Sequence, residues 1–224
     1  MADLALIVGV GDGLSASLAR LFAAEGYDLA LAARNTDKLT GLVAETGASQ
    51  HMCDASDPSS VEALFAAVPA VPDVVIYNPS ARVRGPVQEL EPEAVRKALE
   101  VTAFGAFLVA RAVVPGMVER GSGTILMTGA SAGVKGFPNS SSFAMGKFAQ
   151  RGLAQSLSRE LHPKGIHVAW INIDGAIRNP GRTEEVAGSM LDPDAIAREY
   201  LGLVRQDRST WSNELTVRPW VERF

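Results

Sequence analysis

Leu4-Ala5-Leu6-Ile7-Val8-Gly9-Val10-Gly11-Asp12-Gly13-Leu14-Ser15 opens the chain, and its reading decides the fold. The apolar run from Leu4 to Gly9 has the length and continuity of a strand buried on both faces. Gly9, Gly11 and Gly13 permit a tight turn, and a helix begins near Leu14. Glycines here let the backbone approach a pyrophosphate, whose charge the helix N-terminus favours. A glycine-rich turn alone is equally an ordinary strand-to-helix turn. The strand before it, the helix after it and its place in the first βαβ unit point to dinucleotide binding.

Working outward, apolar runs of strand length alternate with helical stretches throughout. Asp28 to Ala33, Ser49 to Met52, Val74 to Tyr77, Thr124 to Thr128, Ile166 to Ile173 and Glu214 to Val217 read as further strands. Pro92 to Arg120 and Ser140 to Leu161 are the longest helical segments between them. This alternation predicts a doubly wound α/β fold of the Rossmann type, with seven parallel strands covered by helices on both faces. No repeat, low-complexity tract or linker divides the sequence, so one domain over residues 1–224 is expected.

With 224 residues, 47% of them hydrophobic, the chain has material for a full core. A net charge of −4 argues against nucleic acid or an anionic membrane as the main partner. The single cysteine, Cys53, excludes an internal disulfide framework and suits a reducing, cytoplasmic setting. The apolar start lacks a basic flank and runs directly into the glycine turn, so it reads as a strand and not as a signal peptide. No uninterrupted run reaches roughly 18 apolar residues, and no membrane span is expected. His51, His162 and His167 show no metal-ligand spacing, and no metal site is expected. Trp170, Trp211 and Trp220 read as packing residues.

The second strand ends Leu31-Ala32-Ala33-Arg34-Asn35. A carboxylate here would bond the ribose 2′-hydroxyl of NAD, whereas the guanidinium of Arg34 suits the 2′-phosphate of NADP. NADP is therefore expected over NAD. Asp12 counts mildly against this by adding negative charge near the phosphates, and Arg34 also reads as a solvated residue opening a helix.

These features resemble the short-chain dehydrogenases/reductases over nearly the whole length. The Gly9–Gly13 turn, Cys53-Asp54, Asn78, Lys147 with its helix, and Asp174-Gly175 carry the likeness. The family's turn usually reads T-G-x-x-x-G-x-G, so Val8 and Ser15 depart from it. Tyr77-Asn78-Pro79-Ser80 falls on the family's N-N-A-G segment with only Asn78 kept, and Asp174-Gly175-Ala176-Ile177 falls on P-G-x-V/I. The resemblance implies a cofactor site formed by Gly9, Gly11, Asp12, Gly13, Leu14, Arg34, Asn35, Asp54, Ala55, Asn78, Pro79, Ser80, Thr128, Lys147, Gly175 and Ile177. It also implies homodimers or homotetramers built on the two long helices.

In that family a tyrosine, one helical turn before a lysine that lowers its pKa, gives the proton that follows hydride transfer. Here the spacing puts Phe143 four residues before Lys147, on the same helix face. Counting back, the family's serine falls on Ala130, with Ser131 beside it, and its asparagine on Thr102. Lys147 alone is unchanged. Lys147 and Ser131 are then the candidate catalytic residues, with water or Ser131 handling the proton. Ser142 points away around the helix, and no spacing brings Tyr77 or Tyr200 to the site. Such a site suits an activated C=C more than a plain ketone. The expected function is NADP(H)-dependent oxidoreduction of a small molecule; the alternative is a nucleotide-binding sensor or partner subunit without turnover. Arg82, Arg84, Arg178 and Arg182 read either as receptors for an acidic substrate or as solvated loop charges. The stretch from Arg178 to Asp192 is short for a substrate lid.

Overall fold

The computed structural model describes residues 2–221. In chain order the elements are β1 (Leu4–Val8), α1 (Leu14–Ala24), β2 (Asp28–Ala33), α2 (Thr40–Thr46), β3 (Ser49–Met52), α3 (Pro58–Ala67) and β4 (Val74–Tyr77). There follow α4 (Pro92–Leu99), a π-helical turn (Glu100–Phe104), α5 (Gly105–Arg120), β5 (Gly123–Thr128), α6 (Ser141–Leu161) and β6 (Ile166–Ile173). The chain continues through β7 (Ala176–Ile177), β8 (Met190–Leu191), α7 (Pro193–Val204) and β9 (Glu214–Val217).

Seven strands form one parallel sheet in the order β3-β2-β1-β4-β5-β6-β9, as the alternation predicts. Because β1 pairs with β2 on one side and β4 on the other, the chain direction of winding reverses at β1. The crevice beyond the carboxyl ends of β1 and β4 is where ligands bind in such sheets. Residues of β1 alternate between two cores. Leu4, Leu6 and Val8 face a cluster that includes Leu64, Val109, Val113 and Leu161, while Ala5 and Ile7 face Leu18, Phe22, Ile196 and Tyr200. Helices thus cover both faces, which is why the central strands read as continuously apolar.

The edges differ. β3 is largely exposed, and β9 is only half-buried. β7 pairs with β8 in a separate two-stranded ribbon that clips the loop between them; two-residue strands carry no sequence period. Trp170 is buried and Trp211 stacks on His167, but Trp220 is 88% exposed, contrary to its reading as a packing residue.

The helical stretch Pro92–Arg120 is by length and composition apolar enough to cross a membrane, unlike the sequence expectation. In the fold, Ala106, Val109, Ala110, Val113 and Met117 on one side of it cover the sheet. Its π turn has an identifiable cause. Tyr77 donates its hydroxyl hydrogen to the Val101 carbonyl, and Gln150 Nε2 donates to the Thr102 carbonyl at 3.0 Å. Two successive carbonyls are therefore occupied by side chains from elsewhere in the fold. Gly105 permits the approach, since a Cβ there would meet the Tyr77 hydroxyl and the Ala55 carbonyl within 2.5 Å.

Candidate functional site

The site occupies the crevice at the sheet's switch point, where three cavities follow one another. The first, about 300 Å³, lies over the ends of β1, β2 and β4 and is lined by Gly9, Arg34, Asp54, Ala55, Asn78, Pro79 and Ser80, among others. Asn78 and Ser80 continue into an inner cavity of about 270 Å³, which contains Gly13, Leu14, Thr128, Phe143, Lys147, Gly175 and Ile177. Phe143, Ala130, Arg82, Ile173 and Gly175 then lead into an outer cavity of about 680 Å³ with Arg84, Ser131 and Phe137.

The first turn of α1 explains how the inner end is built. Gly13 caps the helix without a side-chain hydrogen bond, and no acidic residue lies in the first turn. The Ala16 N–H bonds the Gly13 carbonyl at 3.0 Å, and the N–H groups before it have no side-chain cap and suit an anion. A Cβ at Gly11 or Gly13 would meet no atom within 4 Å, so the space beside the turn is open. Gly9 is different: its φ of +82° is left-handed, and a Cβ there would lie 2.7 Å from the Pro79 ring. The turn is locked from below as well, because Asn78 Nδ2 donates to Ser15 Oγ at 2.6 Å and Ser15 Oγ donates to the Gly9 carbonyl at 3.1 Å. An uncapped helix start, an open glycine turn and an elongated crevice fit a dinucleotide.

Arg34 lines the first cavity, is exposed, and has no ion pair among the described residues. It lies near enough to Asp54 to help hold that carboxyl below the usual range; the larger causes are the hydroxyl and backbone N–H of Ser56. Gly11, Asp12 and Asn35 are exposed and line none of the three cavities. Asn35 instead accepts the Asp37 N–H at 3.0 Å.

Lys147 is fully buried on α6. Its Nζ donates to the Thr128 carbonyl at 2.5 Å and to Gln150 Oε1 at 3.3 Å. Burial, with a smaller push from Arg82, brings its ammonium from 10.5 down to about 7. Gln150 is completely buried and also accepts Trp170 Nε1–H at 3.3 Å, so one amide joins the lysine, the π turn and β6. Sequence reading missed it. Phe143, Lys147 and Gln150 are spaced by four and three, and that face-sharing was the available signal.

Phe143 is 7% exposed and borders both the inner and outer cavities. Ser142, behind it, is buried and bonds both backbone groups of Val83. Ser131 starts a 3₁₀ turn after β5 and lines the outer cavity; Ala130 reaches both. Thr102 is buried, its hydroxyl accepting the Ala81 N–H at 3.0 Å. Tyr200 comes closer than sequence spacing suggested: its buried hydroxyl is 2.7 Å from Thr128 Oγ1, beneath the strand end that holds Lys147. Arg178 pairs with Glu184 and Asp192 and is engaged within its own loop.

Residues 3–185 match the family model described as short chain dehydrogenase. A curated relative, 2-dehydro-3-deoxy-L-rhamnonate dehydrogenase (NAD(+)) of a Sphingomonas strain, is 33% identical over 72% of this chain and 67% of its own. A short-chain dehydrogenase structure from Rhodopseudomonas palustris superposes with a TM-score of 0.85 at 33% identity, covering 97% of this chain and 99% of the other. An alcohol dehydrogenase from the archaeon Thermococcus sibiricus, complexed with 5-hydroxy-NADP, gives 0.88 at 26% identity over 100% of this chain and 99% of its own.

Proposed function

The chain belongs to the short-chain dehydrogenase family, and from that premise we propose that it is an NADP(H)-dependent reductase of an activated C=C or carbonyl in a small molecule. Oxidoreduction with a nicotinamide dinucleotide follows from the family; the phosphate on the cofactor rests on Arg34. The Sphingomonas relative is named for NAD(+) and the Thermococcus structure for an NADP analogue, so relatives do not decide the choice. Arg34 supports NADP because it lines the first cavity, follows Ala33 where an acid would favour NAD, and has no carboxylate within ion-pair distance among the described residues.

Phe143 stands, in this reading, at the family's tyrosine position, and Lys147 orients the cofactor. When bound, the nicotinamide supplies the hydride. The accompanying proton comes from water or Ser131, since no phenol lies one turn before Lys147. Hydride addition to an activated C=C gives an enolate, whose charge Lys147 and Arg82 are set to stabilise before it takes a proton. A plain ketone gives a more basic alkoxide and needs the acid more.

The exposed Phe104, Phe107, Met145 and Phe148 on the long helices support a homodimer or homotetramer formed there. The single, buried Cys53 is in keeping with a reducing, cytoplasmic setting for one nucleotide-binding unit over residues 1–224.

The test is oxidation of NADPH, followed by its absorbance, against a panel of enones, quinones and aldehydes. Turnover of at least one enone or quinone is expected. Binding of NADPH with no hydride transfer to any acceptor would overturn the reading.

A further inference from the structure

Resting on the reductase reading only for the reaction it serves, we infer that the substrate carries a carboxylate, received at the outer cavity by Arg82 and Arg84 with Arg182 nearby. The lining supports this first. Arg82 and Arg84 line the outer cavity, Arg82, Arg182 and Lys147 the inner one, and among the described residues neither lining includes an aspartate or glutamate. The chain as a whole carries more acids than bases, 25 against 21, so an acid-free cationic mouth runs against its composition.

Neighbouring loop arginines are treated differently. Arg178 is paired with Glu184 and Asp192, and Arg218 with Asp174. Arg82, Arg84 and Arg182 have no carboxylate partner among the described residues. They also act on one another: partial burial, then Arg84 and Arg182, lower the pKa of Arg82. Gathering like charges in this way costs stability unless an anion joins them.

Position separates Arg84 from the cofactor's own phosphates, while Arg82 bridges the inner and outer cavities and Arg182 lies in the inner one. Arg34 stands in the first cavity and the open start of α1 at the inner one, whereas Arg84 lines only the outer cavity. The Arg82 guanidinium lies over the Phe143 ring, beside the expected point of reaction. Phe137, Phe143 and Ile173 share that cavity, so an acid with an aromatic or branched body has apolar surface to meet. A planar guanidinium matches a carboxylate through two parallel N–H···O bonds, which a neutral ester does not reproduce.

The experiment compares benzoylacrylate and phenylpyruvate with their methyl esters, titrated by calorimetry into the protein saturated with NADP+. At least one acid should bind about tenfold or more tightly than its ester, with the preference shrinking as salt is raised. Arg84→Gln, at an exposed position that lines only the outer cavity, should erase most of that preference while leaving ester binding unchanged, and Arg82→Gln should lower the preference as well. No acid preference in either pair, or variants that weaken acid and ester alike, would overturn the inference. NADPH oxidation with the same compounds separates the two readings. Acid preference without turnover supports carboxylate recognition and sinks the reductase; turnover of esters as fast and as tightly bound as acids does the reverse.

Discussion

The Cζ atom of Arg82 lies 3.9 Å from the centroid of the Phe143 ring. A guanidinium over an aromatic face is held by the ring quadrupole, worth about 0.5–1 kcal/mol where one side stays wet. Phe143 thereby orients the cation between the inner and outer cavities while supplying no proton itself. Lys147 lies one helical turn on, its pKa lowered chiefly by burial and to a smaller extent by the same cation. The centre of this site is therefore electropositive and poor in acids, a better fit to stabilising negative charge on a substrate than to protonating it.

Cofactor choice follows from Arg34. A charge-assisted contact worth roughly 1.5–3 kcal/mol implies about a ten- to hundredfold preference for NADPH over NADH. Arg34→Ala should weaken NADPH by that factor and leave NADH nearly unchanged. Fluorescence titrations that coincide for the two cofactors on the unmodified protein would refute the assignment.

Lys147 should impose a slope on stability. Its pKa falls from 10.5 unfolded to about 7 folded, so between those values the unfolded chain binds more protons than the folded one. Stability then rises with pH across the window and is lost as pH falls toward 7, by at most about 1.4 kcal/mol per pH unit. Urea unfolding at steps from about pH 7.5 to 9.5 should show midpoints climbing in the parent and a flatter course in Lys147→Met. Parallel curves would mean that the lysine does not titrate in this range.

The strands were legible because each is an apolar run set between helical periods, and parallel strands buried on both faces need no alternation. The glycine turn was legible because only a few residue types suit a backbone such as that of Gly9. What escaped depends on tertiary partners. The π turn exists because Tyr77 and Gln150 reach its carbonyls, and nothing in Glu100–Phe104 announces those donors. Gln150 shares a helix face with Phe143 and Lys147, but its bonds to Lys147, Thr102 and Trp170 depend on tertiary neighbours. The four loop arginines were visible, yet their sorting was not: Arg178 finds Glu184 and Asp192, while Arg82 finds a phenyl ring.

Assembly should depend on the exposed aromatic patch of the long helices. Phe104 and Phe107 stack with centroids 6.0 Å apart, each more than 40% exposed, and Phe148 is 46% exposed on α6. Each ring is less than half exposed, so covering what remains is worth about 1 kcal/mol, roughly half the value for full burial of such a side chain. Phe107→Asp and Phe148→Asp should each shift the protein toward monomer in light scattering at micromolar concentration. A monomer mass for the unmodified protein would count against the patch as an interface.

Restoring a phenol tests the chemistry most directly. Phe143→Tyr adds one oxygen at a position bordering both reaction cavities, with Lys147 a turn away and Arg82 over the ring. Both cations favour the phenolate and so bring its pKa toward the working range. General-acid catalysis contributes about 10²–10⁴-fold, so even partial rescue should appear as new or faster ketone reduction with NADPH. Ala130→Ser should raise the rate further, since Ala130 reaches both cavities and a hydroxyl there would meet the substrate oxygen. Thermal unfolding and NADPH titration of each variant establish that fold and cofactor site survive. If both hold and neither variant reduces any ketone faster than the parent, a missing proton is not what limits this site, and reduction of an activated C=C, which needs no phenol, becomes the reaction to pursue.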